Sequence, residues 1–160
     1  MKLAMAHSIY EGGLSVSGTF FLEAFAGEAI FTLGCVMHSV PCLRPWDIAY
    51  GPLFDVLAYE DVLCSLIVGG IIVFMHFGTP CRSMTLARLP QLRSWVSPMG
   101  LQGLSGSQST LVEEGNKLMF VTARLCTLLI SALAYFSLEN PLASWLWAMQ
   151  PIVALWLLEG

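Results

Sequence analysis

The chain has 160 residues, a formal net charge of −4, a hydrophobic fraction of 56% and a mean hydropathy of +0.72. That length bounds it to a single domain with one sizeable core, and the acidic balance excludes a chain that grips nucleic acid with its whole surface. The hydropathy is high for a soluble domain, so a multi-pass membrane protein stands beside a soluble enzyme as a compositional alternative. In chain order, MKLAMAHSIYEGG carries one lysine and no apolar core of signal-peptide character, and residues 1–18 are expected to be an N-terminal extension to a domain over 19–160. TFFLEAF (19–25) is apolar and aromatic and ends at Ala26-Gly27, which predicts a buried strand entering a turn. EAIFTLGCVMHS then predicts a helix, and VPCLRPWDI a second strand ending near Asp47 in spite of its two prolines. AYEDVLCSLIVGG suits a helix closed by glycines, with Glu60 and Asp61 in its first turn. GIIVFMHF predicts a β-branched strand, and residues 78–108 a long Gly/Ser/Pro loop of the kind that carries function. TLVEEGNKLMFVTARLCTLLISALA predicts a long helix, and YFSLE a short strand stopped by Asn140-Pro141. Strand–helix alternation of this kind implies an α/β fold with a mainly parallel sheet covered on both faces, whose ligands gather at the carboxyl ends of the strands.

The longest candidate membrane span, residues 118–136, contains Arg124. On a helix, Glu113, Lys117, Arg124, Thr127 and Ser131 fall on one face, and Leu118, Val121, Leu125, Leu128 and Ala132 on another. Such a helix leans on a core and faces water, so a membrane partner is not expected. The five cysteines, Cys35, Cys42, Cys64, Cys81 and Cys126, include no CxxC pair, and the three histidines are scattered. Neither a disulfide framework nor a metal site is suggested, and an intracellular compartment, nucleus or cytoplasm, is the simplest expectation.

Within the long loop, Pro80 fixes its own backbone and pushes Thr79 toward extended geometry, which sets the direction of the Cys81 side chain at a strand's end. That is one way to present a nucleophile, and it is equally how a small apolar residue ends a strand. Between Asp61 and Glu113 there is no acidic residue, while Arg82, Arg88 and Arg93 follow Cys81 closely. The local excess of positive charge suits a nucleic-acid partner, or simply a solvated loop.

Three segments, FLEAFAGEA, GTPCRSMT and SLENP, fall at the carboxyl ends of three predicted strands. Together the set resembles the DNA cytosine carbon-5 methyltransferases, whose pattern is D-L-F-x-G-x-G, then G-P-P-C-Q-x-x-S, then E-N-V. Leu22, Phe25 and Gly27 match the first motif; Gly78, Pro80 and Cys81 the second, with Thr85 in the serine place; Glu139 and Asn140 the third. The resemblance covers roughly residues 19–147 and implies a Rossmann-like methyltransferase fold with S-adenosylmethionine as cofactor and DNA as the expected partner. It implies that Cys81 adds to carbon 6 of cytosine and that Glu139 protonates or hydrogen-bonds ring nitrogen N3. On the same reading Glu23, Phe25, Gly27, Asp47, Gly78 and Pro80 serve the cofactor, Glu23 standing where the family has aspartate. Asp47 would accept from the ribose, or is a solvated strand-end residue. Arg82, Thr85, Arg88, Arg93 and Asn140 are expected to serve the nucleic acid.

The sequence departs from the pattern at Ala29, which replaces the second glycine and requires a negative φ to be tolerated, and at Thr79, Arg82 and Met84. The family's later strands, its Gln-x-Arg element and its target-recognition region have no counterpart in the sequence, so a partial domain is expected, as occurs in mobile-element polyproteins. The alternatives are a catalytically inactive nucleic-acid-binding or structural remnant, a methyltransferase acting on adenine or RNA in which Cys81 is dispensable, and a membrane protein indifferent to the cofactor.

Overall fold

A computed structural model describes residues 18–158. Apart from Gly18, the expected N-terminal extension lies outside the described residues. In chain order the elements are β1 (Phe20–Ala24), α1 (Ile30–Met37), two single 3₁₀ turns (Ile48–Tyr50 and Pro52–Phe54), α2 (Glu60–Val68), β2 (Ile72–Phe77), α3 (Gly106–Ser131), β3 (Tyr135–Leu138), a third 3₁₀ turn (Trp145–Ala148) and α4 (Gln150–Leu155). The described residues divide into two compact units, the first up to residue 78 with 125–139 and the second 79–124 with the segment from 140 onward.

The first unit is an α/β arrangement around a small parallel sheet in the order β1-β2-β3, compatible with a Rossmann-like fold. Phe21, Leu22, Glu23 and Ala24 stand opposite Phe74, Met75, His76 and Phe77, which in turn stand opposite Tyr135, Phe136, Ser137 and Leu138. Because side chains alternate across a strand, Leu22, Ala24, Met75 and Phe77 share one face, and all four are fully buried. Burial on that scale stabilises by about 1.5–3 kcal/mol per large side chain. The other face carries Phe21, Glu23, Phe74, His76, Tyr135 and Ser137, and it opens toward β3, where Tyr135 is 73% exposed.

The expected second strand is corrected. Residues 42–46 make only two isolated parallel bridges to β1, Cys42 with Phe21 and Trp46 with Ala24. Their hydrogen bonds include Leu43 N to Phe21 O at 2.8 Å and Trp46 N to Glu23 O at 2.8 Å. Pro41 and Pro45 have no N–H to donate, so a continuous ladder is impossible and the segment remains a rudiment beside β1. The chain thus leaves β1 for this rudiment on one side and returns to β2 on the other, which makes the carboxyl end of β1 a topological switch point.

The second unit contains residues 106–124 of α3, the loop before it, and the segment with α4. Its core is Met84, Leu92, Met119, Leu146, Met149 and Ile152, all at most 1% exposed. Arg93 is equally buried at 1%. Along α3 the stripe Glu113, Lys117, Arg124, Thr127 and Ser131 is exposed, as the helical spacing predicts; of the expected apolar face Val121 and Leu125 are buried, Leu118 and Leu128 are half-buried and Ala132 is exposed, and Val112, Met119 and Leu129 are buried as well. Among the described residues, no helix is long and apolar enough to cross a membrane.

Candidate functional site

In the first unit the carboxyl end of β1 runs into a turn with three positive φ values, Phe25 at 56°, Gly27 at 50° and Ala29 at 53°. Non-glycine residues held in the left-handed region mark strain that the surroundings must impose. Here the surroundings are visible. The Gly27 N–H donates to Asp47 Oδ2 at 3.0 Å, the Tyr50 hydroxyl donates to the Gly27 carbonyl, and Ala26 N donates to Trp46 O at 3.3 Å. Asp47 Oδ1 also accepts from Ala49 N at 2.9 Å, capping the first 3₁₀ turn. Asp47, expected as a ribose acceptor, therefore holds the glycine turn against the rudimentary strand. Each oxygen keeps a second lone pair for a ligand hydroxyl. No atom lies within 4 Å of where a Cβ on Gly27 would stand, so the face of the turn is open.

Ala29 fails the condition its methyl group imposes, since its φ is positive. An alanine in the left-handed region costs roughly 1–2 kcal/mol, part of which glycine forfeits through a freer unfolded chain. Ala29→Gly is therefore expected to stabilise by about 0.5–1 kcal/mol, raising the melting temperature by roughly 2 °C. A lower melting temperature would show that the turn is not strained at this residue.

Glu23 is 5% exposed, and its Oε2 accepts from both Thr32 N and Thr32 Oγ1 at 2.6 Å. Ala29, the N-cap of α1, provides no side-chain cap, so a carboxylate from β1 satisfies a free N–H of the first turn and complements the helix dipole. Glu23 belongs to helix capping in this arrangement. Beside it on the sheet His76 places Nδ1 2.7 Å from Ser137 Oγ and stacks on Phe31 with ring centroids 4.5 Å apart. Burial pushes the His76 pKa down, while the Glu23 and Glu139 carboxylates push it up. Glu23, Phe31 and His76 border an open groove of about 530 Å³ with Ile30, Cys35 and His38. Burial, reinforced by Glu23, pushes the Cys35 thiol up, which disfavours its thiolate at neutral pH.

β2 and β3 end side by side at the same edge of the sheet, with Phe77 opposite Leu138, and Glu139 N donates to Phe77 O at 2.9 Å. Glu139 is exposed there. A Cβ on Gly78 would lie 3.0 Å from Phe25 O, so the glycine lets the ends of β1 and β2 pass closely. The first unit thus brings Phe25, Gly27, Asp47, Gly78 and Glu139 to the carboxyl edge of one sheet.

The second unit holds the cysteine segment. Thr79 is 2% exposed, its hydroxyl pairs with Thr122 Oγ1 at 3.0 Å, and its carbonyl accepts from Asn140 Nδ2 at 2.6 Å. Pro80 follows, and Cys81, a half-buried free thiol, opens a turn in which its carbonyl accepts from Met84 N and Thr85 N. Asn140 therefore positions the backbone ahead of Cys81, while its Oδ1 is buried with no hydrogen-bond partner. Thr85 Oγ1 accepts from Ala87 N at 3.2 Å, which ties it to its own turn. Arg82 is exposed and Arg88 half-buried. Arg93 is not available to a nucleic acid, because all five of its N–H donors are used inside the unit. Nε donates to Ser83 O at 3.0 Å, Nη1 to Pro98 O at 2.6 Å and Asn116 Oδ1 at 2.8 Å, and Nη2 to Ser83 Oγ at 2.9 Å and Val112 O at 3.1 Å. Burial lowers its pKa to about 10.

Three residues that matter to these segments escaped the sequence reading: Tyr50, Thr32 and Thr122. Thr122 carried a signal, being a polar residue on the otherwise apolar face of α3. Among the described residues no group of three or more His, Cys, Asp or Glu side chains is placed to hold a metal ion. Compared with family models, with curated proteins and with solved structures, the chain matches none.

Proposed function

We propose that the chain is an S-adenosylmethionine-dependent methyltransferase domain of Rossmann-like fold that acts on a nucleic-acid base, of the cytosine carbon-5 type. One observation carries the reading. FLEAFAG, GTPC and LEN leave the carboxyl ends of three strands that are adjacent and parallel in the order β1-β2-β3, with the switch point at β1. Chance matches to short motifs have no reason to fall on neighbouring strands at the edge where ligands of such sheets bind.

The residues at β1 fit the cofactor in two respects: Gly27 presents an open backbone face, and Asp47 stands on its rim with free lone pairs. S-adenosylmethionine supplies the methyl group. The resemblance gives Cys81 the role of adding, as thiolate, to carbon 6 of the base, and Glu139 that of giving a proton or hydrogen bond to N3 as negative charge develops there. Carbon 5, made enamine-like, would take the methyl as the cofactor's sulfonium C–S bond breaks and its demethylated form leaves; loss of the carbon 5 proton to solvent would then expel the Cys81 thiolate and restore the ring. The base must leave its stack to be reached.

S-adenosylmethionine or its demethylated product should raise the melting temperature of the chain by mass action, by an amount that grows with ligand concentration. Gly27→Val should abolish the shift, because valine neither adopts the left-handed φ readily nor leaves the turn's face open. A second reading, an inactive nucleic-acid-binding remnant, is favoured by the positive φ of Ala29. Absence of any shift at saturating cofactor would select it, and a shift that survives Gly27→Val would move the cofactor away from this turn.

A further inference from the structure

Residues 94–97 of the second unit close on themselves. Ser94 N donates to Ser97 O at 3.2 Å, and Ser97 N donates to Ser94 O and to Ser94 Oγ, both at 3.1 Å. The two residues at the tip of this turn are Trp95, 78% exposed, and Val96, 92% exposed. Leaving an indole in water forgoes the largest burial term any side chain offers, so an exposed tryptophan on a fixed turn calls for a partner. The ring is held in place: it meets Trp145 edge-on at 5.2 Å and 79°, and Trp145 is itself buried, its backbone N–H donating to Met84 O at 2.8 Å.

The strand of chain beside Trp145 is basic. Thr85 bridges Ser144 and Leu86 N donates to Ala143 O at 3.1 Å, so the segment from Arg82 to Arg88 runs along residues 143–145. Arg82 is exposed, and the Nε of Arg88 is buried with no hydrogen-bond partner. Five of the seven Lys and Arg residues of the chain, Arg82, Arg88, Arg93, Lys117 and Arg124, belong to this unit, against the acidic residues Glu113, Glu114 and Glu159, and between Arg82 and Val112 there is no Asp or Glu.

We propose that the Trp95–Val96 turn, together with Arg82 and Arg88, is a docking surface for single-stranded nucleic acid, with a base stacked on Trp95 and backbone phosphates on the two guanidinium groups. Guanidinium forks match phosphate oxygens. Stacking on an aromatic ring is indifferent to base identity, and a pre-positioned ring loses little rotamer freedom on binding. A bilayer is the poorer occupant: even a single acyl chain anchors only marginally, and a tip of two apolar side chains flanked by serines buries less. The surface rests on the nucleic-acid substrate proposed above for its occupant, yet it requires no methyl transfer.

The test is fluorescence anisotropy of a labelled oligothymidylate of roughly 12 nucleotides, titrated with the full chain at low salt and without cofactor. Trp95→Ala should weaken binding about tenfold or more, and Trp95→Phe should retain most of it. Arg88→Gln should weaken binding and make its logarithmic salt dependence shallower by about 0.7. Because Trp95 is mostly exposed, the melting temperature of Trp95→Ala should stay near that of the parent, which separates lost contact from lost fold. Unchanged affinity in Trp95→Ala would overturn the proposal, as would no binding by the parent chain, or Trp95-dependent binding to phosphatidylserine vesicles in place of the oligonucleotide. Oligonucleotide binding through Trp95 in a chain whose melting ignores S-adenosylmethionine would keep this surface and remove the methyltransferase reading.

Discussion

Arg93→Ala should cost roughly 3–5 kcal/mol of stability, a fall in melting temperature of about 10 °C or more by thermal denaturation. The guanidinium is buried with all five donors used, yet none of their acceptors is a carboxylate: they are three backbone carbonyls, the Ser83 hydroxyl and the Asn116 amide oxygen. Truncation leaves those acceptors without donors, three of the bonds being buried and two part-buried, and adds a cavity the size of the lost side chain. Arg93→Lys should recover only part of the loss, since an ammonium offers three donors from one point and cannot span the same acceptors. Gly115 belongs to the same assembly. A Cβ there would lie 2.4 Å from Ser83 Oγ and 3.1 Å from Arg93 Nη2, so Gly115→Ala should also destabilise. An Arg93→Ala chain within about 1 kcal/mol of the parent would show that the network contributes little to the fold.

The largest effect on activity is expected at Cys81. In an assay of methyl transfer to cytosine-containing DNA, Cys81→Ser should remove activity altogether, and Glu139→Gln should slow it by roughly a hundredfold or more, the scale of a lost general acid. A serine hydroxyl is far harder to ionise than a thiol, while its size barely disturbs a half-buried turn. Asn140→Ala should act differently, by loosening the turn that carries Cys81, because its amide holds the Thr79 carbonyl. Methyl transfer that survives Cys81→Ser would rule out the carbon-5 mechanism and leave Cys81 a packed residue after β2.

Much of the first unit was legible because its elements announce themselves locally. The β-branched run of β2, the Gly69-Gly70 stop after α2 and the Asn140-Pro141 stop after β3 place those elements within a residue or two of where they lie. The start of α3 was legible in principle and went unread. Ser105 and Gln108 form half of a capping box, with Gln108 Oε1 accepting from Ser105 N at 3.0 Å, and the helix begins four residues before the apolar periodicity does. The second strand was misjudged where two prolines outweighed an apolar pattern. Side-chain roles were harder to read, since they depend on partners distant in sequence. Glu23 looks like a cofactor carboxylate until Thr32 takes it, and Arg93 looks like a surface cation until its partners at Ser83, Pro98, Val112 and Asn116 enclose it. Asp47 could be placed after the rudimentary strand from sequence, but its bond to the Gly27 amide, across 20 residues, could not.

The most direct measurement is a mechanism-based trap. DNA containing 5-fluorocytosine, incubated with the chain and S-adenosylmethionine, should yield a covalent protein–DNA adduct, because fluorine at carbon 5 blocks the proton loss that would release the enzyme. Mass spectrometry of the digested adduct should place the oligonucleotide on the peptide containing Cys81, and Cys81→Ser should give no adduct. An adduct that persists in Cys81→Ser, one mapped to another of the five cysteines, or none at all from a chain that binds both cofactor and DNA would contradict the account.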